Sequence, residues 1–143
     1  MFRKLTDTIF VAPQIAADDV AQAQAQGIRL IINNRPEGES EDQTPGIDIE
    51  TAARGAGMDY IAIPVTHAGF SEGQVEAMAV ALAEAEGPIL AYCRSGTRST
   101  LLWALAEASR GKNPTVLAAQ AGQAGYDLSP VRALCDMLAA GKG

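Results

Sequence analysis

Residues 91–99 read Ala91-Tyr92-Cys93-Arg94-Ser95-Gly96-Thr97-Arg98-Ser99, so a cysteine ends an apolar run and a short loop with glycine and arginine follows it. The apolar segment 88–92 predicts a buried strand, and residues 101–108 carry alanine and leucine at helical spacing. The loop therefore joins the carboxyl end of a strand to the amino end of a helix. Backbone N–H groups at such a position lack intrahelical partners and can bind one anion.

Cys93 is the candidate nucleophile of this loop. The thiolate is the reactive form of cysteine, and both nearby positive charge and a helix N-terminus favour it. Arg98 can form a bidentate hydrogen bond to an oxyanion, and the Ser99 hydroxyl can donate a hydrogen bond to the sulfur or to a leaving group. The alternative is a buried structural cysteine beside a helix cap. The remaining candidates for anion binding are Arg94, Ser95, Gly96 and Thr97.

Composition fits one small globular domain spanning residues 1–143. The chain is 48% hydrophobic and 20% charged, with a formal net charge of −6. An acidic chain without a basic run is a poor partner for nucleic acid or for an anionic membrane surface. The N-terminus lacks a signal-peptide core, and no apolar stretch approaches transmembrane length, so we expect a cytoplasmic protein. No metal-ligand spacing or dinucleotide fingerprint is present, so we expect neither metal nor cofactor.

Strand-like and helix-like runs alternate, which predicts an α/β domain with a central, mostly parallel, four-stranded sheet flanked by helices. The predicted strands are Thr8 to Ala12, Arg29 to Asn33, Tyr60 to Val65 and Ile89 to Tyr92. One helix is predicted after Cys93, and two more cover about 17–26 and 45–56. A further helix begins at the capping box of Ser71, and the last two begin at Asn113-Pro114 and Ser129-Pro130. Cys135 falls on the apolar face of the last helix and is predicted to be structural.

Two further polar positions follow predicted strands. Loops at the carboxyl ends of parallel strands gather at one edge of a sheet, so Arg35 and His67 should lie near Cys93. Arg35 is a second candidate anion contact, with a solvated loop charge as the alternative. His67, the chain's single histidine, is either a general acid or a residue at the rim of the site that bonds to the backbone.

The chain resembles the cysteine-phosphatase superfold, and more closely the phosphatase-like domains of beta-lactamase hydrolase-like proteins. These small bacterial domains occur alone or fused to metallo-beta-lactamase-fold proteins. The resemblance rests on the segments 31–36, 60–65 and 92–99, which fall in the same order and at similar spacing. It implies a protein-tyrosine-phosphatase-like fold and either phosphatase or sulfurtransferase activity. It also suggests a metallo-beta-lactamase-fold protein as a partner.

Two departures from the phosphatase pattern bear on the chemistry. Tyrosine and dual-specificity phosphatases carry Cys-x5-Arg, whereas Cys93 and Arg98 are separated by four residues, as in the loop of single-domain rhodaneses. The phosphatase pattern also places an aspartate shortly after Ile-Pro-Val, and here Thr66-His67 follows. His67 and Glu72 are the nearest substitutes for that acid.

These departures favour a thiol sulfurtransferase. Cys93 would attack the outer sulfur of thiosulfate or glutathione persulfide, and Arg98, with Arg94 and Arg35, would hold the departing anion. Sulfite needs no proton to leave, so no acid is required. The main alternative is a phosphatase acting on phosphotyrosine through a phosphocysteine, with His67 or Glu72 assisting. A third reading is a non-catalytic anion-binding module. The sequence leaves the oligomeric state open.

Overall fold

The computed structural model describes residues 2–142, which form two β-hairpin strands, three further strands and six α-helices. Branched apolar residues fill the strands, and glycines end several of the helices. In chain order the elements are β1 (Arg3–Thr6), β2 (Ile9–Ala12), α1 (Asp19–Ala25), β3 (Leu30–Asn33), α2 (Gly46–Gly55), β4 (Asp59–Ala62), α3 (Glu72–Glu84), β5 (Ile89–Tyr92), α4 (Thr97–Ser109), α5 (Pro114–Gln123), a 3-10 turn (Ser129–Val131) and α6 (Arg132–Lys142).

The sheet has the strand order β1-β2-β5-β3-β4. Strands β2, β5, β3 and β4 run parallel, whereas β1 pairs antiparallel with β2. The mostly parallel α/β sheet is thus confirmed, with β1 as a fifth strand that the sequence reading missed. The predicted strand over 60–65 is shorter in the structure, although the Ile63 and Val65 amides still bond to the Asn33 and Asn34 carbonyls.

Helices cover both faces of the sheet. One apolar cluster joins α1 and α2 to the sheet, and a larger one joins α3 to α6 to the opposite face. Helix α4 lies within the larger cluster, where Leu102, Trp103 and Leu105 are fully buried. Cys135 of α6 is also fully buried, as its apolar face predicted. Among the described residues, no helix is long and apolar enough to cross a membrane.

The topology places β5 at the centre of the candidate site. Tyr92, the last residue of β5, pairs with Ala12 of β2 on one side and Asn33 of β3 on the other. The segments leaving β2, β3 and β5 therefore start at one edge of the sheet. In open α/β sheets this edge, outside the carboxyl ends of the strands, is where ligands bind.

Candidate active site

Cys93 follows β5 directly and is fully buried. Its Sγ accepts a hydrogen bond from the Gly96 amide at 3.1 Å. Gly96 precedes the first residue of α4 and has φ = 89°, a left-handed conformation that glycine adopts without strain. The conformation of Gly96 thus aims an N–H group at the sulfur.

The N-terminus of α4 adds further donors next to the thiol. The first amides of a helix have no intrahelical partners, and here they belong to the residues that follow Gly96. The partial positive charge of the helix N-terminus acts at the same place. On the outer side of the loop, Arg94, Ser95 and Thr97 are exposed, and the Ser95 hydroxyl donates to Thr97 Oγ1. The structure thus brings the predicted loop residues together around Cys93.

Arg98 is fixed by two partners from other parts of the chain. Its Nη1 donates to Glu39 Oε2 at 2.6 Å and to the Val65 carbonyl at 2.7 Å, and its Nη2 donates to Glu39 Oε1 at 2.9 Å. The pair is an end-on, bidentate salt bridge. The pKa of Arg98 is raised because Glu39 accepts its hydrogen bonds and because the Cys93 sulfur lies nearby. Arg98 is therefore paired with Glu39 and lies close enough to Cys93 to interact with it electrostatically.

Glu39 is the functional residue that the sequence reading missed. Its carboxylate accepts from Arg98 and also from Arg35 Nε at 2.9 Å. Hydrogen bonds from Arg98 lower the pKa of Glu39 to about 2, and Arg35 adds to this, although burial acts the other way. Glu39 is therefore ionised at neutral pH and cannot act as a general acid there.

Arg35 is buried among side chains of the segments that follow β2 and β3. Its side chain is only 4% exposed, and its nitrogens donate to three side chains: Glu39, Gln14 and Ser40. These contacts occupy Arg35 within the protein and tie the segment after β3 to the segment after β2. Arg35 thus supports Glu39, and because these contacts use three of its five N–H donors, its role as an anion contact stays a prediction.

The structure differs from the expectation for Ser99. Its buried hydroxyl donates to Asn34 Oδ1 at 2.7 Å, away from the sulfur, and Asn34 Nδ2 donates to the Ile63 carbonyl. Ser99 lies in the first turn of α4, and its side chain points toward the segment that follows β3. Ser99 thus anchors α4 to the sheet.

The two acid candidates lie at exposed positions beyond β4. His67 is in the turn after Val65, whose carbonyl binds Arg98, so this turn adjoins the site. Glu72 is the first residue of α3, where Ser71 and Gln74 form the predicted capping box. Neither makes a contact that assigns it a role in proton transfer. Within residues 2–142, no cluster of three or more side chains suited to a metal ion is found.

The chain is similar in sequence to proteins of a known family. The family model described as "Beta-lactamase hydrolase-like protein, phosphatase-like domain" matches residues 1–110. The beta-lactamase hydrolase-like protein of Agrobacterium fabrum is 38% identical over 109 residues, which cover 76% of this chain and 25% of that protein. The chain thus spans about a quarter of the length of the curated relatives it matches.

Solved structures with the same architecture include proteins named as phosphatases. The protein nma1982 of Neisseria meningitidis, described as a "putative phosphatase", is 34% identical with a TM-score of 0.83, over 95% of this chain and 96% of that chain. Pseudomonas aeruginosa TpbA, solved in complex with pTyr, is 16% identical with a TM-score of 0.69, over 99% of this chain and 89% of that one. The second likeness shows the fold alone. Together these matches confirm the expected phosphatase-like fold.

Proposed function

The chain belongs to the phosphatase-like domain family of beta-lactamase hydrolase-like proteins, and we propose that it is a cysteine-dependent phosphatase that acts on aryl phosphate monoesters. The observation that carries this proposal is the site around Cys93. A buried sulfur accepts the Gly96 N–H at the N-terminus of α4, and Arg98 lies beside it. The similarity to phosphatases supports this function over the sulfur transfer that the short loop favours.

Arg98 is suited to hold the phosphoryl oxygens. A guanidinium has five N–H donors. In contacts between the described residues, Glu39 and Val65 take both Nη1 hydrogens and one Nη2 hydrogen. The Nε–H and the other Nη2–H remain for a ligand, and these two form the side-on edge of the guanidinium that matches two oxygens of a tetrahedral anion. Glu39 thus orients Arg98 without using up its binding capacity.

The proposed reaction has two steps. The Cys93 thiolate attacks phosphorus, the bond between phosphorus and the ester oxygen breaks, and the departing oxygen takes the electron pair. Water then attacks the phosphocysteine, the P–S bond breaks, and phosphate and the thiolate are released. The loop amides and Arg98 stabilise the charge on the phosphoryl oxygens in both steps.

We propose aryl esters as substrates because the site offers no clear general acid. An alkoxide needs an acid to leave, whereas a phenolate leaves readily without one. Glu39 is excluded as that acid because its pKa is about 2. His67 lies in the exposed turn beyond Val65, and we assign it no more than an assisting role. We therefore expect phosphotyrosine and p-nitrophenyl phosphate to be cleaved faster than phosphoserine.

The test is turnover of p-nitrophenyl phosphate by the wild type, Cys93→Ser and Cys135→Ser. The Cys135 thiol is buried in the core far along the chain from the loop, so its variant is a matched control. We expect vanadate-sensitive turnover in the wild type and Cys135→Ser and a loss of at least about a thousandfold in Cys93→Ser. Wild-type turnover that persists in Cys93→Ser would refute the assignment.

Sulfur transfer is a second candidate because only four residues separate Cys93 from Arg98. Here the thiolate attacks the outer sulfur of thiosulfate, the S–S bond breaks, sulfite leaves with the electron pair, and a second thiolate collects the sulfur from the Cys93 persulfide. Incubation with thiosulfate followed by intact mass measurement distinguishes the two. A gain of one sulfur atom in the wild type but not in Cys93→Ser supports this candidate, and an unchanged mass excludes it.

A further inference from the structure

Tyr126 lies against the nucleophile loop from outside the part of the chain that the family model covers. It follows α5, beyond residue 110, and its hydroxyl donates to the Ser95 carbonyl at 3.0 Å. Ser95 is the residue between the exposed Arg94 and the left-handed Gly96. The C-terminal part of the chain therefore reaches back to the loop that holds the candidate nucleophile.

The contact between Tyr126 and Gly96 is close enough to restrict the loop. A Cβ atom added at Gly96 would overlap the Tyr126 hydroxyl and approach the ring. The loop backbone is thus packed directly on the phenol. Because the Gly96 amide donates to Cys93 Sγ, any movement of Gly96 changes the hydrogen bond to the sulfur.

Tyr126 is itself held in place. The Arg3 guanidinium lies over its ring at 5.2 Å from the centroid, in cation–π geometry. Arg3 Nη1 also donates to the Ala124 carbonyl at 3.2 Å, which ties β1 to the end of α5. Burial raises the pKa of Tyr126, with Arg3 acting the other way, so the hydroxyl remains a donor at neutral pH.

We propose that Tyr126 is a positioning residue that holds Ser95 and Gly96 in the conformation in which the Gly96 N–H points at Cys93 Sγ, and that Arg3 holds the tyrosine ring. Tyr126 touches the loop backbone and not the reacting atoms. The consequence for catalysis rests on the proposed function, whereas the effect on the Gly96 amide does not.

The first test measures amide hydrogen exchange by NMR in the wild type, Tyr126→Phe and Tyr60→Phe. The Tyr60 hydroxyl bonds to Asn33 on the other face of the sheet, so Tyr60→Phe is the matched control. In Tyr126→Phe we expect the Gly96 amide to exchange at least about tenfold faster, with the Leu105 amide in α4 unchanged. Arg3→Met, which keeps an aliphatic stem, should change Gly96 exchange in the same direction by a smaller factor. Unchanged Gly96 exchange in both Tyr126→Phe and Arg3→Met would overturn the inference.

The second test separates kcat from KM with p-nitrophenyl phosphate. A misplaced donor at the reacting sulfur weakens the transition state more than the ground state, so we expect kcat of Tyr126→Phe to fall about tenfold with KM changed less than about twofold. An active wild type whose kcat is the same in Tyr126→Phe contradicts the proposal. If the wild type shows no turnover, the proposed function fails, and the exchange measurement alone decides the role of Tyr126.

Discussion

At the scale of single residues, the pairing of Glu39 with Arg98 and Arg35 sets the charge of the site. Two guanidinium groups share one carboxylate that is only 16% exposed. Such a partly buried, bidentate arrangement is stronger than an exposed ion pair, and removal of the carboxylate leaves two arginines without their anionic partner. Glu39 therefore contributes both to stability and to the placement of Arg98.

Glu39→Gln should destabilise the protein in a pH-dependent way. The pKa of Glu39 falls from 4.5 to about 2 on folding, so its contribution is complete above pH 4.5 and is lost as the pH falls toward 2. We expect Glu39→Gln to lower the free energy of unfolding by about 1–3 kcal/mol at pH 7, with the gap to the wild type narrowing below pH 4.5. Urea unfolding of the wild type and of Glu39→Gln at pH 7 and pH 3 measures the difference in stability and its decrease at low pH.

The matched control is Glu41→Gln, an exposed carboxylate in the same loop. A surface substitution of this kind changes stability by no more than about 0.5 kcal/mol. If Glu39→Gln lowers the free energy of unfolding at pH 7 no more than Glu41→Gln does, the salt bridges of Glu39 do not stabilise the fold as proposed.

Local sequence patterns predict some residues of the candidate site and not others. Cys93, Gly96 and Arg98 were predicted because a strand, a glycine and a helix start are local signals. Glu39 lies 59 positions before Arg98, and no local pattern marks a loop glutamate as the partner of a distant arginine. Ser99 was assigned to the sulfur by proximity in sequence, whereas its hydroxyl bonds to Asn34, which is 65 positions away in the chain.

At the scale of elements, α3 begins beside the site and its start is fixed by a capping box. Ser71 Oγ accepts from the Gln74 amide, Gln74 Oε1 accepts from the Ser71 amide, and Gln74 Nε2 donates to the Pro64 carbonyl. The cap thus ties the helix to the segment that leads to Val65. The capping box was predictable because it is a four-residue pattern.

Ser71→Ala should weaken this start. Loss of an N-cap side chain costs about 1 kcal/mol, and we expect that decrease in the free energy of unfolding measured by urea. Asn113→Ala at the start of α5 removes a cap of the same kind, in which Asn113 Oδ1 accepts from the Thr115 amide, and provides the comparison. If Ser71→Ala leaves stability unchanged while Asn113→Ala does not, the capping box is not a stabilising feature of α3.

Strand β1 was not predicted because it is an edge strand with little apolar sequence. Its sequence, Arg3-Lys4-Leu5-Thr6, has one buried residue, Leu5, because the strand lies at the sheet edge and pairs with β2 alone. A run of four residues with a single apolar position resembles a polar terminus. Pairing with β2 through a tight turn, rather than local hydrophobicity, makes it a strand.

At the scale of the whole molecule, the fold extends beyond the part that the family model covers. The match ends at residue 110, but α5 and α6 bury one side of α4, with Leu117, Ala121 and Cys135 in the main core cluster. The alternation of strands and helices predicted the α/β class and the position of Cys93. The contribution of the C-terminal helices to the site through Tyr126 depends on tertiary packing and could not be predicted.

A chain that ends at residue 112 should not fold cooperatively. Its α4 would expose the apolar surface that α5 and α6 cover, and a small domain has little stability to lose. We expect poor dispersion of amide resonances and no sharp thermal transition, in contrast to the full chain. A cooperative transition near that of the full chain would show that residues 113–142 are dispensable for the fold.

The central claim is that Cys93 becomes phosphorylated during turnover, and a rapid denaturing quench of the enzyme with p-nitrophenyl phosphate tests it directly. Intact-protein mass spectrometry followed by peptide mapping should show one added phosphoryl group, located on Cys93 in the wild type and absent in Cys93→Ser. A wild type that releases p-nitrophenol with no phosphoryl group on Cys93, or that acquires only a sulfur atom there from thiosulfate, would contradict the account.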